Sequence, residues 1–215
     1  MPRVKLTTVQ SRRRWIRGVA ARVGEGESLP DPKENPMSTA RHGTLDTPLG
    51  PFTSLVGDGD ELDGVVLASG WTADVTELVP LVHPDLRPGE LRAVTDLGAV
   101  GEAVTAFHDG DPRPAAAVEV RQQGGRFLHE VWARMREIEA GAPVTYSVLA
   151  ERAGRPAAVR GAAQGCARNA AALFVPCHRV VRRGGGLGGF RWGLALKEQL
   201  LALEARPPVP ADASA

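Results

Sequence analysis

The chain has 215 residues, of which 43% are hydrophobic and 24% are charged. This composition is typical of one or two compact domains with their own hydrophobic cores. Two cysteines are too few for a disulfide framework or an all-cysteine zinc site, and they favour a reducing cytoplasm. No apolar run approaches the length of a membrane span.

The net charge of +1 conceals an uneven distribution of charge along the chain. Residues 37–125 carry 5 Lys/Arg and 14 Asp/Glu, whereas residues 126–206 carry 13 Lys/Arg and 6 Asp/Glu. A basic back half favours a polyanion as its partner, although ordinary surface variation would also account for this difference.

The front half predicts a basic extension followed by a small domain. Residues 1–36 are expected to be disordered, because "SRRRWIRGVAAR" is followed by the linker-like "GEGESLPDPKENP". Residues 37–122 are expected to form an α/β domain. Two or three short strands are predicted between "GTLDT" and "LASG", then a helix over "AVGEAVTAFHDGD" and a strand over "AAAVEVRQ".

The back half, residues 123–206, predicts mostly helices, and residues 207–215 are expected to be a disordered tail. "RFLHEVWARMREIEAG" predicts a helix that Gly141 ends. "TYSVLAERAG" and "RPAAVRGAAQGCARNA" predict a helix-turn-helix, with Pro156 in the first turn of its second helix. "GLALKEQLLALEA" predicts a final amphipathic helix. The first of these helices has an apolar face formed by Phe127, Val131, Met135 and Ile138.

Within the second helix of the helix-turn-helix, the stretch "PAAVRGAAQG" consists almost entirely of small residues, with Arg160 as its single long cation. Small residues allow a close approach either to a nucleic-acid groove or to another helix, and the sequence favours the two equally. A base-reading helix usually carries several long polar side chains at its N-terminal end. Shape-based or non-specific DNA binding is therefore expected rather than sequence-specific readout.

The segment "VPCHRVV" places Cys177 directly before a histidine and an arginine. His178 can relay a proton, and Arg179 can add the positive potential that stabilises a thiolate. The alternative is a buried, inert cysteine. Cys166 lacks such neighbours and is expected to be a packing residue. Downstream, the glycines of "RRGGGLGGFRWG" let the backbone approach a ligand closely, but the GK[ST] ending of a phosphate loop is missing.

These segments resemble the C-terminal domain of the O6-alkylguanine-DNA alkyltransferases, or methylated-DNA–protein-cysteine methyltransferases. The resemblance runs without a gap from about Phe127 to Glu204, and P-C-H-R-[VI] is its most specific motif. "TLDTPLGPF" resembles the start of the family's N-terminal domain. The resemblance implies an α/β, ribonuclease-H-like N-terminal domain and a mostly α, winged helix-turn-helix-like C-terminal domain.

The resemblance also implies a DNA-repair transferase that acts once. The alkyl group of O6-alkylguanine, with O4-alkylthymine as a further candidate, would pass irreversibly to Cys177 after base flipping. His178 would be the base, Glu204 the carboxylate that orients it, and Tyr146 the phenol near N3 of the flipped guanine. The further DNA-binding residues implied are Ala158, Arg160, Gly161 and Arg168, the last of which follows Ala167. The implied substrate-pocket residues are Asn169, Val180, Phe190, Arg191 and Trp192.

The resemblance implies that the partner is double-stranded DNA carrying alkylated guanine and that the protein is a monomer. It implies no membrane partner, no cofactor and no metal. One alternative is a non-catalytic lesion-binding protein, but such proteins lack the acceptor cysteine that Cys177 would supply. A repair protein that also regulates transcription would need a cysteine-rich metal domain. A thiol hydrolase would use Cys177 and His178, and it would turn over.

Several positions depart from the family pattern. Ala162 and Ala163 stand where Val-Gly is usual, and Glu139 replaces the proline of a turn. Ala170 follows the asparagine where proline is usual, which calls the local backbone geometry into question. Trp192 replaces a common glycine and is expected to narrow the mouth of the pocket.

Overall fold

The computed structural model describes residues 39–58 and 63–205, so the predictions for residues 1–36 and 207–215 lie outside the described residues. Three one-turn 3-10 helices lie between the third and fourth strands, and a fourth spans Cys177–Arg179. The strands are β1 (Thr39–Thr47), β2 (Gly50–Gly57), β3 (Val66–Gly70), β4 (Glu90–Ala93), β5 (Val144–Thr145) and β6 (Val180–Val181). The helices are α1 (Ala99–His108), α2 (Arg113–Ala117), α3 (Arg126–Arg136), α4 (Tyr146–Arg152), α5 (Val159–Ala167) and α6 (Leu194–Glu204).

The N-terminal part is built on a mixed sheet with the strand order β3–β2–β1–β4. β1 and β2 form an antiparallel hairpin, β3 extends it antiparallel to β2, and β4 pairs parallel with β1. Strands β2 and β3 are buried along almost their whole length, because both faces of the sheet are covered. Helix α1 packs on one face through Val104 and Phe107, and the 3-10 segment packs on the other through Leu78 and Val82.

Two predictions for the N-terminal part need correction. The strand predicted over "AAAVEVRQ" is wrong for its first half, because Arg113–Ala117 is a helix with a proline at its first turn. Pro114 favours that position and alanine has the highest helix propensity, so the helix is locally preferred. Within this segment, only residues 119–121 pair with β3. Strand β4 was not predicted, because "ELRA" lacks the β-branched and aromatic residues typical of strands.

The outer edge of β3 is covered by two short segments from elsewhere in the chain. Its first half pairs with residues 119–121, where Val66 donates to Glu119 O and Arg121 donates to Val66 O. Its second half pairs with residues 170–172, where Ser69 donates to Ala170 O and Ala172 donates to Ser69 O. An edge strand exposes unpaired backbone groups, and these segments satisfy them. The sheet is thereby joined to the C-terminal part.

The C-terminal part is helical, as predicted, although two boundaries differ. Helix α3 ends at Arg136, before Gly141, and α5 begins at Val159, so Pro156 precedes the helix instead of lying in its first turn. No helix among residues 39–58 and 63–205 is both long and apolar enough to cross a membrane.

One face of α5 packs tightly on α3. A Cβ atom added at Gly165 would collide with Val131, and one added at Gly161 would lie 2.8 Å from the Phe127 ring. Trp132 Nε1 also donates to Gly165 O at 2.9 Å. The small residues on this face therefore allow close packing against another helix, which was one of the two interpretations that the sequence left open. The opposite face of α5 lines a cavity.

Candidate active site

A cavity of about 670 Å³ lies beside α5, the Cys177–Arg179 turn and the glycine-rich loop. Small residues of α5, among them Ala163 and Ala167, form part of its wall. Seven residues predicted from the sequence line this cavity: Tyr146, Arg160, Asn169, Cys177, Phe190, Arg191 and Trp192.

A two-residue parallel pair brings Tyr146 and Cys177 to the same cavity. Val144 pairs with Val180 and Thr145 pairs with Val181, so β5 and β6 lie side by side. Tyr146 follows β5 directly and starts α4, for which the Thr145 side chain is the N-cap that accepts from Val148 N. Cys177 lies in the 3-10 turn that leads into β6. The pairing therefore sets the relative position of two residues that are far apart in sequence.

His178 and Glu204 form a buried pair next to this turn. The distance between His178 Nε2 and Glu204 Oε1 is 2.9 Å, and the side chains are 0% and 2% exposed. Burial lowers the pKa of His178 despite the neighbouring carboxylate, and its ring lies between Phe107 and Phe190. If Nε2–H donates to Glu204, Nδ1 carries the free lone pair. Nδ1 is buried and has no hydrogen-bond partner among the described residues.

Arg179 binds the same carboxylate. Its Nε and Nη2 donate to Glu204 at 2.7–3.1 Å, and its Nη1 donates to Ile138 O at 2.5 Å. Burial opposes ionisation of Glu204, but His178 and Arg179 outweigh it, so the pKa of Glu204 lies below its usual value. The expectation that Arg179 supplies positive potential to Cys177 is therefore corrected: its charge is directed at Glu204.

Other residues supply the positive potential at Cys177. Burial raises the pKa of the Cys177 thiol, while a hydrogen bond from the Asn169 side chain and the charges of Lys197 and Arg191 act in the opposite direction. A thiol in this cavity is thus protonated more readily than an exposed one, and these three groups are what favours its thiolate.

Lys197 is a site residue that the sequence analysis missed. Its side chain is completely buried, and Nζ donates to Val180 O at 2.5 Å. Burial lowers the pKa of Lys197, whereas the two nearby thiols raise it. A signal was present, because Lys197 lies three residues before Leu200 and seven before Glu204, and so shares the inward face of α6 with them.

The glycine-rich loop packs closely against Tyr146. Gly188 has φ +74°, and a Cβ atom there would lie 2.7 Å from the Tyr146 hydroxyl. Burial raises the pKa of Tyr146, and the two thiols add to this effect, whereas the Arg182 charge and a hydrogen bond from Gly189 N–H lower it. The phenol therefore stays protonated and can donate a hydrogen bond. The sequence predicted that this backbone approaches a ligand, and the structure shows that it approaches the Tyr146 side chain.

The segment between α5 and Cys177 is held by Asn169. Asn169 Nδ2 donates to Val175 O at 2.7 Å, and Oδ1 accepts from Ala171 N at 3.2 Å. Within this turn Leu173 has φ +75°, a conformation that a side chain other than glycine rarely adopts. Leu173 is buried, and burial of its side chain in the core offsets the strain.

Four of the predicted DNA-binding and pocket residues do not line the cavity. Val180 is buried behind it and contributes the carbonyl that Lys197 binds. Gly161 packs under Phe127, and Ala158 precedes α5 as its N-cap. Arg168 is exposed and follows α5. Cys166 lines the cavity as well as packing, with Sγ 3.7 Å from the sulfur of Met135, and burial strongly raises its pKa.

Trp192 connects the cavity to the N-terminal sheet. Its ring lies so close to Gly70, at the end of β3, that a Cβ atom at position 70 would overlap it. Next to Gly70, Trp71 packs against Phe190 with ring centroids 6.1 Å apart. The wall of the cavity formed by Phe190 and Trp192 is therefore supported by the N-terminal part.

Comparisons with known proteins agree with this arrangement. Residues 126–206 match the family model described as 6-O-methylguanine DNA methyltransferase, DNA binding domain. A crystal structure of Mycobacterium tuberculosis OGT in complex with DNA is similar with a TM-score of 0.60 and 25% identity, over 77% of this chain and 92% of that one. The fold is thus that of an alkyltransferase with an α/β N-terminal part and a helical C-terminal part.

Curated relatives identify the family. The methylated-DNA–protein-cysteine methyltransferase of Salmonella typhimurium is 32% identical over 162 residues, 74% of this chain and 91% of the relative. The Shigella flexneri protein of the same name is 30% identical over 160 residues, with the same coverage. This chain belongs to the methylated-DNA–protein-cysteine methyltransferase family. The Escherichia coli bifunctional transcriptional activator/DNA repair enzyme Ada is 42% identical over 106 residues, which are 49% of this chain but only 29% of Ada.

Proposed function

We propose that this protein repairs DNA by transferring the alkyl group of O6-alkylguanine irreversibly to its own Cys177. The observation that carries the proposal is the shared cavity, which places Cys177 and Tyr146 together, while the buried His178–Glu204 pair starts from the same turn as Cys177. A nucleophile, an oriented base and a hydrogen-bond donor are the groups that this displacement requires.

In the proposed step, Cys177 Sγ forms a bond to the alkyl carbon, and the bond between that carbon and guanine O6 breaks. The thiol proton passes to His178 Nδ1, directly or through water, and Glu204 stabilises the resulting imidazolium. The electron pair of the broken bond remains on the guanine, where a hydrogen bond from Tyr146 disperses the charge. The product thioether has no workable leaving group, so each molecule acts once.

We further propose that α5 binds double-stranded DNA and that the protein acts as a monomer. Arg160 is exposed at the start of α5 and lines the cavity, so its side chain can fill the gap left by a guanine flipped into that cavity. The small residues on this face of α5 permit a close approach to the minor groove. The net positive charge of residues 126–206 favours binding to phosphates.

For the domain organisation, we propose a ribonuclease-H-like domain over residues 37–122 and a winged helix-turn-helix-like domain over residues 123–206. The strand order of the sheet and the α4–α5 helix pair support these assignments.

The test is transfer of radiolabelled methyl groups from duplex DNA to the protein. The label should plateau at about one methyl group per active molecule, and mass spectrometry should place it on Cys177. Cys177→Ser should abolish transfer while DNA binding persists, and Cys166→Ser should retain transfer. Binding of the lesion without transfer would identify a non-catalytic lesion-binding protein instead. Continued turnover would identify a hydrolase.

A further inference from the structure

The backbone N–H of Ala170 has an unusual partner. Ala170 lies at the start of the segment that pairs with the second half of β3, and it is 4% exposed. The ladder with β3 uses the Ala170 carbonyl and the Ala172 N–H, and the Ala170 N–H takes no part in it. Instead it donates to Gln122 Oε1 at 2.7 Å. A buried backbone N–H without a hydrogen-bond partner lowers the stability of the folded state, so the Gln122 side chain removes a free-energy penalty at Ala170.

The position of Gln122 explains why it can do this. Residues 119–121 cover the first half of the β3 edge, and Gln122 comes immediately after them. Its side chain spans the gap to the segment that covers the second half. The need itself arises from the sequence, because Ala170 stands where the family pattern has a proline, which has no N–H.

Ala170 is adjacent to Asn169, which lines the cavity together with Cys177. Asn169 is 5% exposed, and its side chain bonds Val175 O and Ala171 N. The same Val175 carbonyl accepts from the Cys177 N–H at 2.8 Å, so Asn169 and the acceptor residue share one anchor. We propose that Gln122 is a positioning residue for the acceptor thiol: it anchors Ala170 and thereby holds Asn169 in place to stabilise the Cys177 thiolate. The expected effect on repair rests on the proposed function, whereas the expected effect on the thiol does not.

The primary variant is Gln122→Leu, which removes the acceptor and keeps a side chain of similar size. Transfer of methyl groups from duplex DNA should slow by about tenfold, because the turn that carries Asn169 loses its anchor. Gln122→Glu keeps an acceptor oxygen and should stay within about threefold of the native rate. Gln123→Leu is the matched control, since Gln123 is exposed and its side chain hydrogen-bonds to Asp85, away from Ala170.

A second readout separates positioning from mere stability. The rate at which iodoacetamide modifies Cys177, followed by mass spectrometry across pH, reports the thiolate fraction. Its midpoint should move to higher pH in Gln122→Leu and stay unchanged in Gln123→Leu. The other titratable groups at the cavity include Cys166, Tyr146, Arg182, Arg191 and Lys197, and all of them are retained in these variants, as is His178 in the turn that carries Cys177.

Ala170→Pro provides the decisive background, because proline removes the N–H that Gln122 serves. In this background Gln122→Leu should change the transfer rate less than twofold, compared with about tenfold in the native background. That difference would show that the two positions are coupled. Equal losses in both backgrounds would overturn the inference, as would a lower melting temperature with an unchanged iodoacetamide midpoint. If the native protein takes no methyl group from DNA, the proposed function fails, while the iodoacetamide midpoint still decides the role of Gln122.

Discussion

Glu204 Oε1 binds both His178 and Arg179, with His178 Nε2 at 2.9 Å and Arg179 Nη2 at 2.7 Å. The arginine keeps the carboxylate ionised, and the carboxylate fixes the orientation and tautomer of the histidine. His178 is thereby held as a neutral base in a fixed orientation.

Glu204→Gln should slow methyl transfer from DNA by about a hundredfold, because the amide stabilises neither the imidazolium nor its orientation. The unfolding free energy should fall by about 3 kcal/mol, since Arg179 would be left buried without its partner. Single-turnover kinetics and urea denaturation measure the two effects. Glu198→Gln, an exposed change of the same kind on α6, is the control. A native transfer rate in Glu204→Gln would contradict the assignment of this carboxylate.

The stability of the protein should fall as the pH decreases from 7.5 to 5. The pKa of His178 is lowered in the folded state, so below pH 6.5 the unfolded chain binds a proton that the folded protein does not. This residue alone should cost up to about 2 kcal/mol at pH 5. His42 and His108, whose pKa values burial also lowers, act in the same direction. Urea denaturation should show a smaller loss in His178→Asn, and an identical loss would refute this origin.

Lys197→Met should slow methyl transfer by about tenfold, because a buried positive charge that favours the Cys177 thiolate is lost. The folded state should not be weakened to the same extent, since an apolar side chain of similar length replaces a buried charge. Transfer kinetics and urea denaturation separate the two effects. Arg183→Met, which removes an exposed charge from the nearby loop, should leave transfer within about twofold. Loss of folding without an effect on the thiol would assign Lys197 a purely structural role.

Arg160→Ala should slow repair of duplex DNA far more than the reaction with free O6-methylguanine. The free base needs no flipping, so it does not call on a side chain that fills the gap in the duplex. Both rates can be measured as alkylation of Cys177 by mass spectrometry. Arg168→Ala, also exposed but outside the cavity, is the matched change. Equal losses on both substrates would mean that Arg160 serves the cavity instead.

Trp192→Ala should increase the rate with O6-benzylguanine relative to O6-methylguanine by about tenfold, because the cavity loses a large wall residue. Gly70→Ala should act in the opposite direction, since its Cβ would push the Trp192 ring away from the sheet and towards the cavity. Competition between the two bases measures the ratio. An unchanged ratio in both variants would show that Trp192 does not limit the size of the alkyl group.

Local pattern was enough to predict most of the elements. The hairpin strands, α1, α3, α4 and α6 follow from turn residues, from alternation and from helical periodicity over neighbouring residues. The motif around Cys177 likewise needed only adjacent residues, and through the resemblance it led to Tyr146, Asn169, His178 and Glu204 as candidates. All four lie in or directly beside the cavity.

Tertiary structure decided what adjacency could not. Arg179 follows His178 in the chain, yet its guanidinium reaches Glu204, 25 residues away, instead of serving the thiol. Gln122 meets Ala170 across 48 residues, and Ser69 reaches Ala172 across 103. Burial of Lys197 likewise depends on which face of α6 the rest of the chain covers. Side-chain direction and burial arise from contacts between distant segments, and no local pattern carries that information.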